Sequence, residues 1–346
     1  MVIETNVTKL LGIKHPIIAS PMAPYHTTEL TIAVSEAGGL GVLSHTNMIG
    51  MSSVEEMKSN MEYIVEHTDK NFGFNIKTTR MQPDARSLCR EIPKFIMKNP
   101  KIKEQCIYAL TSAGTSRTLP ESKSFQKLRQ SGSNIKHFHV APALWLADKC
   151  IATNVDGVVI TGTEGAGHQS YEKVSTLVLL QQFRMKYPDI PTVACGGFAS
   201  GEGLAAALAM GAGAVAMGSR FIASNESEFH EKYKDIVPTA KAGDTMLVTG
   251  FAGPIRLWKN KYTASHSLVR DKSEKMTEEQ DVTIEELIEM GKNYGTAVQN
   301  GNIVNGAVPL GQSIGVINSI EKVSDIIESF VKSAENYLKN AVNSIK

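Results

Sequence analysis

The residues best suited to chemistry cluster between Cys195 and Ser219. A short apolar run (191–195, PTVAC) leads into Gly196-Gly197-Phe198-Ala199-Ser200-Gly201-Glu202-Gly203. An Ala-rich stretch follows, and a second run (214–217, AVAM) ends in Gly218-Ser219. Glycines let backbone N–H groups come close to an anion, and a helix N-terminus after the loop adds partial positive charge. Two such loops after consecutive strands read as a cradle for a phosphorylated cofactor or substrate. Two other readings compete. Residues 201–206 match the dinucleotide pattern G-x-G-x-x-G/A, but five residues separate them from the strand, and the next run ends in Gly-Ser, not in an acidic residue. Tight turns alone are the third account of the glycines.

Gly162–His168 (GTEGAGH, 162–168) ends another apolar run. Its small residues suit a planar ring lying on the backbone, and His168 has an imidazole whose ordinary pKa near neutrality suits proton abstraction. A structural or merely exposed histidine is the bland alternative. Glu164 reads as a solvated loop charge, with orientation of His168 as the other option. Met22, in Ser20-Pro21-Met22-Ala23-Pro24, offers a polarizable thioether to an aromatic face or to the core. Asn75, in G-F-N, offers an amide or a turn. Gln312, in G-Q-S-I-G (311–315), returns a polar group late in the chain. His266, Arg270 and Lys272 are cationic or potentially cationic groups for an anionic substrate.

These groups need a scaffold. Eight short apolar runs, at 15–22, 40–43, 72–76, 106–110, 137–140, 157–161, 191–195 and 214–217, alternate with helical patterns. Several are apolar at consecutive positions, as parallel strands covered on both faces are. The apolar spacing at Leu30, Ala33, Val34 and Ala37 marks one helix face, and 54–65, 174–185 and 201–210 behave similarly. Eight βα units before residue 220 fit an α/β fold of the (β/α)8 TIM-barrel class, with a doubly wound sheet as the alternative. Beyond Arg220 the chain becomes polar with no clear strand up to about residue 276, followed by helical patterns at 283–298 and 320–338. The expected organisation is a barrel over 1–224, a helical substrate or cap domain over 225–311, and a segment, 312–346, packing back on the barrel.

The 346 residues carry 36 Lys and Arg against 35 Asp and Glu, with 42% apolar residues. That balance argues against disorder and gives no basic excess to attract nucleic acid. The four cysteines lie too far apart for a C-x-x-C pair and suggest thiols in a reducing compartment. Residues 1–11 alternate polar and apolar types, unlike a secretion signal, and the most apolar window, 204–218, is too short to span a bilayer. A soluble, cytoplasmic protein is the expectation.

Taken together, PIIASPMAPYHTTELTIAVSEAGGLG (16–41), FGFNI (72–76), DGVVITGTEGAGH (156–168), PTVACGGFASGEGLAAALAMGAGAVAMGSRF (191–221) and GAVPLGQSIGVI (306–317) resemble the nitronate monooxygenase family, also called 2-nitropropane dioxygenases. The resemblance implies an FMN-binding (β/α)8 barrel with a helical substrate domain. It implies Met22 and Thr161 beside the isoalloxazine, Asn75, Ala166, Gly167 and Met217 as further cofactor contacts, and Gly196, Gly197, Gly218 and Ser219 around the phosphate. His168 becomes the active-site base and Gln312 a late site residue. Thr161 stands where the family usually has Gln or Glu, Ala166 replaces a glycine, and Ser219 replaces Thr.

The reaction implied is oxidation of a nitronate by O2 to a carbonyl compound and nitrite, with His168 taking the α-proton when a neutral nitroalkane is the substrate. FMN-type enoyl-acyl-carrier-protein reductases and NADH:quinone reductases share the same barrel features, so an NAD(P)H-dependent reductase of enoyl thioesters or quinones is the second expectation. A non-catalytic flavin-binding barrel is the third. A homodimer is compatible with the resemblance.

Overall fold

The computed structural model describes residues 3–22, 27–45, 52–79, 82–250, 253–267, 271, 273 and 283–345. Eight parallel strands form its centre: β1 (Ile17–Ala19), β2 (Gly41–Leu43), β3 (Phe72–Lys77), β4 (Cys106–Ser112), β5 (Lys136–Ala141), β6 (Gly157–Thr161), β8 (Thr192–Cys195) and β9 (Ala214–Met217). Around the sheet the order is β1-β9-β8-β6-β5-β4-β3-β2. A parallel bridge between Ile18 and Leu40 joins its two ends, with Ala19 N–H donating to Leu40 O and Leu40 N–H to Ile17 O, both at 2.9 Å. The sheet is therefore a closed barrel with helices outside it, as expected from the eight apolar runs. Closure leaves no unpaired edge.

The strands read as apolar on consecutive positions because both faces are covered. One face packs inward: Val42, Leu110, Phe138, Val159, Val193 and Ala216 fill the barrel. α1 (Asn6–Leu11) closes the N-terminal end, placing Val7 and Leu11 in that same core. Thr5 begins this helix with a capping box and ties it to β9 by donating from its hydroxyl to Gly213 O at 2.6 Å. The other face meets α2 (Thr28–Glu36), α7 (Leu144–Ile151), α8 (Thr176–Lys186), α9 (Gly201–Ala209) and the C-terminal helix Val323–Asn343. The last of these buries Val323, Ile326, Ile327, Val331 and Ala334 between α9 and α2, so it fills the eighth helical position.

Between α10 (Ser219–Ile222) and that helix the described residues leave the barrel, and several of them line its mouth. Here the structure corrects the strand-free reading of 225–276. β10 (Thr245–Gly250) and β11 (Gly253–Trp258) form an antiparallel hairpin, and β11 also pairs with β7, the two-residue strand Gly167–His168. The helical pattern near 283–298 is the helix Ile284–Val298. Phe229, Tyr233, Val237, Ala297, Val298, Val308 and Leu310 pack with Ile222 and Ala223 to seat this covering layer on the barrel. Among the described residues no helix is long and apolar enough to cross a membrane.

Candidate active site

The C-terminal ends of the strands open into a cavity of about 450 Å³. In (β/α)8 barrels this end gathers reactive groups, because the βα loops converge there on a rigid ring. Of the residues singled out from sequence, Met22, Asn75, Thr161, Ala166, Gly167, His168, Gly218 and Ser219 line it. Gly196, Gly197, Met217 and Gln312 are not on its lining, and Gly197 is exposed.

His168 is fixed by the element that sequence reading missed. It stands opposite Ile255 in the β7–β11 ladder, with Gly167 opposite Arg256, and Gln169 N–H extends the pairing to Pro254 O at 2.7 Å. The Nε2 atom of His168 is shielded from solvent. Arg256 locks the same loop from below: its Nε donates to Thr163 O at 2.6 Å and its Nη1 to Thr245 Oγ1 at 3.0 Å. Burial lowers its guanidinium from the ordinary value, and the nearby Glu164 opposes that shift. Gln169 pins the turn from inside, donating from Nε2 to Gly165 O at 2.9 Å and Ala166 O at 3.2 Å.

Glu164 does neither thing expected of it. Its Oε2 accepts from Thr176 N–H at 2.8 Å and from the Thr176 hydroxyl at 3.1 Å. That places a carboxylate on the first turn of α8, where the helix N-terminus favours negative charge. The same threonine accepts from Gly162 N–H at 3.0 Å and lies 2.9 Å from Gly196 O. Glu164 and Thr176 thus clamp the β6 loop to the β8 loop.

The two glycine loops differ in what their glycines do. Gly196 and Gly197 have φ of +87° and +89°, a region that L side chains rarely adopt. A Cβ at Gly196 would also stand 2.9 Å from Gly165 N. Its smallness serves loop-to-loop packing. Gly218 has an ordinary φ of −105°, and a Cβ there would meet nothing closer than Met22 Sδ at 3.7 Å. Nothing in the protein requires a glycine at 218 except the open space it leaves in the cavity. Ser219 Oγ accepts from Gly311 N–H at 3.1 Å, which leaves its hydroxyl proton for a ligand. Gln312 contributes through its backbone, donating its N–H to Glu164 O at 2.9 Å. Met217 packs its side chain with Leu204 and Phe221 in the helix-facing core.

Asn75 spends both amide donors on the barrel, to Leu110 O and Ser112 Oγ, each at 3.1 Å. What it can offer a ligand is an acceptor, its carbonyl oxygen. Met22 is held by its own N–H donating to Ser44 Oγ at 2.7 Å. Of the cations expected in the covering layer, His266 turns its Nδ1 to Tyr262 O at 2.8 Å, while Arg270 and Lys272 lie outside the described residues. The residues 201–206 that match the dinucleotide pattern start α9, where Ser200 accepts from Gly203 N–H at 3.2 Å; that capping takes up an N–H a diphosphate would need. Two further groups at the mouth, Lys77 and Gln169, carried no signal that sequence reading used. A lysine just after an apolar strand is ordinarily a solvated charge, and only the barrel shows that it faces inward.

A closed eight-stranded barrel with a loop-borne histidine over a glycine-lined cavity defines a (β/α)8 enzyme site. A family model for nitronate monooxygenase matches residues 4–333, and the chain belongs to that family, an oxidoreductase family. It is 26% identical over 99% of its length to a (3aS,4S,5R,7aS)-5-hydroxy-7a-methyl-1-oxo-octahydro-1H-indene-4-carboxyl-CoA dehydrogenase of Mycobacterium tuberculosis, of which 99% is covered. It is 29% identical to a probable nitronate monooxygenase of Staphylococcus saprophyticus, over 76% of this chain and 80% of that one. Among solved structures, FabK from Thermotoga maritima is similar at a TM-score of 0.80 with 30% identity, covering 99% of this chain and 100% of that chain.

Proposed function

We propose that the chain is an FMN-dependent nitronate monooxygenase with His168 as its active-site base. The observation that carries the reading is the position of His168, clamped by the β7–β11 ladder on the wall of a cavity whose other walls suit a flavin. Gly218 leaves space that a side chain would fill, and Asn75 has an acceptor to offer an imide N–H. Gly196, Gly197, Gly218 and Ser219 would hold the phosphate, with the Met217 backbone behind them. Met22, Thr161 and Ala166–Gly167 would bound the ring, and Gln312 would steady that wall through Glu164. Bound FMN would supply the electron acceptor that a nitronate needs.

The protein's own residues do the rest. With a neutral nitroalkane, His168 removes the proton from the carbon bearing the nitro group. With a preformed nitronate, it positions that anion. Of the covering segment, 225–311, the described residues on the cavity lining, such as Phe229, Tyr233, Ile255 and Tyr294, would exclude water, and the helix Val323–Asn343 would pack back on the barrel. Two nitronates and one O2 give two carbonyl compounds and two nitrites, which balances atoms and charge. The experiment is aerobic turnover of propionate 3-nitronate by the FMN-loaded protein. Nitrite and O2 consumption near two to one support the reading; absence of nitrite overturns it.

The end-to-end similarity to a dehydrogenase named for a carboxyl-CoA compound favours a second reading, an NAD(P)H-dependent flavin reductase of enoyl thioesters or quinones. Rapid loss of the flavin's visible absorption on adding NADH supports that one.

A further inference from the structure

Lys77 ends β3 two residues beyond Asn75, so both side chains lie on the same face of the strand, and both line the cavity. It is half-buried. Among the described residues its ammonium makes no hydrogen bond or ion pair. The acid that acts on it, Asp84, is already engaged by Gln82 Nε2 at 2.8 Å, by His45 Nε2 at 3.2 Å and by the Ser53 hydroxyl. Burial pushes the Lys77 ammonium down to about 8, against the pull of Asp84. An ammonium half-buried on a cavity wall, with no side-chain partner of its own, offers its donors to whatever enters, and an anionic ligand oxygen would complete it.

The barrel order sets where that oxygen would sit. β3 and β4 stand across the eight-membered ring from β8 and β9, so Lys77 faces the glycine loops from the far side of the mouth. The covering layer adds apolar walls through Phe229, Tyr233, Tyr294 and Val298. We propose that Lys77 is the anion-binding residue for the substrate, and that the site selects compounds with a planar two-oxygen anion, a nitronate or carboxylate, on an apolar body. The inference rests on the proposed function and names its substrate class.

The titratable groups around Lys77 are Asp84 before α4 (Ala85–Lys98), His45 after β2, Tyr108 of β4, and across the cavity His168, Tyr171, Tyr233 and Tyr294. Asp84 is the charge acting on Lys77 directly. The probe is butyrate, which shares the anion geometry of a nitronate and does not react. Its binding to FMN-saturated protein is followed by calorimetry from pH 6.5 to 9.5. Wild-type binding should weaken as the pH rises through about 8. Lys77→Met should bind roughly tenfold more weakly at pH 6.5 and lose the pH dependence. Lys77→Arg should bind at all these pH values, because its charge persists. Equal binding by wild type and Lys77→Met overturns the proposal, as does loss of FMN from Lys77→Met, which would assign the lysine to the cofactor. Lys77-dependent butyrate binding in a protein that yields no nitrite would retain the anion site and remove only the nitronate reaction.

Discussion

His168 and Ile255 are direct partners in an antiparallel ladder, although 87 positions separate them in the chain. The βα loop that carries the histidine is thus held by the covering layer as well as by the barrel. A base on a loop needs such support, because proton transfer demands hydrogen-bond reach to one particular atom.

His168→Asn separates the two roles given to the imidazole. The variant should keep its FMN and its fold, since the ladder at this position is formed by backbone. Turnover of neutral nitroethane should fall by about 10² or more, while turnover of preformed ethylnitronate falls much less. Steady-state rates with both substrates check this; equal losses would remove proton abstraction from the role of His168.

Arg256 is a positioning residue with no place on the cavity wall. Arg256→Leu leaves Thr163 O and Thr245 Oγ1 without their donor and should cost about 1–3 kcal/mol of stability. It should also lower kcat with little change in FMN affinity. Denaturant unfolding and flavin titration separate the two effects, and Arg256→Lys should recover part of the stability.

The two glycine loops should respond oppositely to an added methyl group. Gly196→Ala forces a positive φ and a close approach to Gly165, and should destabilise the fold by about 2 kcal/mol. Gly218→Ala fits the protein without a clash but projects into the cavity, so stability should hold while FMN affinity drops. Melting temperatures without flavin and dissociation constants for FMN test the pair.

His137 and His139 share the Thr111 hydroxyl, at 2.8 and 2.6 Å. Burial is the main cause that lowers both, to about 3 and about 4, with mutual repulsion and Arg129 adding at His137. Unfolding frees them to take protons at their ordinary value near 6.5. Their contribution is therefore fully present above that pH and is lost as the pH falls toward 4. Thermal midpoints should drop through this window, and a His137→Gln, His139→Gln double variant should show a shallower fall.

Much of this molecule was legible because a parallel barrel writes itself plainly. Most of the eight strands are short runs apolar on both faces, β5 with its buried His137 and His139 being an exception, and the glycine loops follow two of them. Gly162–His168 was recognisable by its small residues. The hairpin was not, although β10 and β11 pair locally; and the two-residue strand that β11 also joins lies 87 positions from Ile255, a contact without local signature. Polar ends such as Thr245 and Thr249 also masked it. Lys77 was missed for a similar reason: its chemistry comes from burial, which a lysine codon does not announce. Glu164 was misread because its partner, Thr176, lies on the next helix.

The most direct measurement is the visible spectrum of the FMN-loaded protein, kept anaerobic and titrated with propionate 3-nitronate. The oxidised-flavin bands should diminish in step with added nitronate, and return when air is admitted and nitrite forms. Bands that stay unchanged through a saturating titration, in protein shown to hold FMN, would contradict the proposed function.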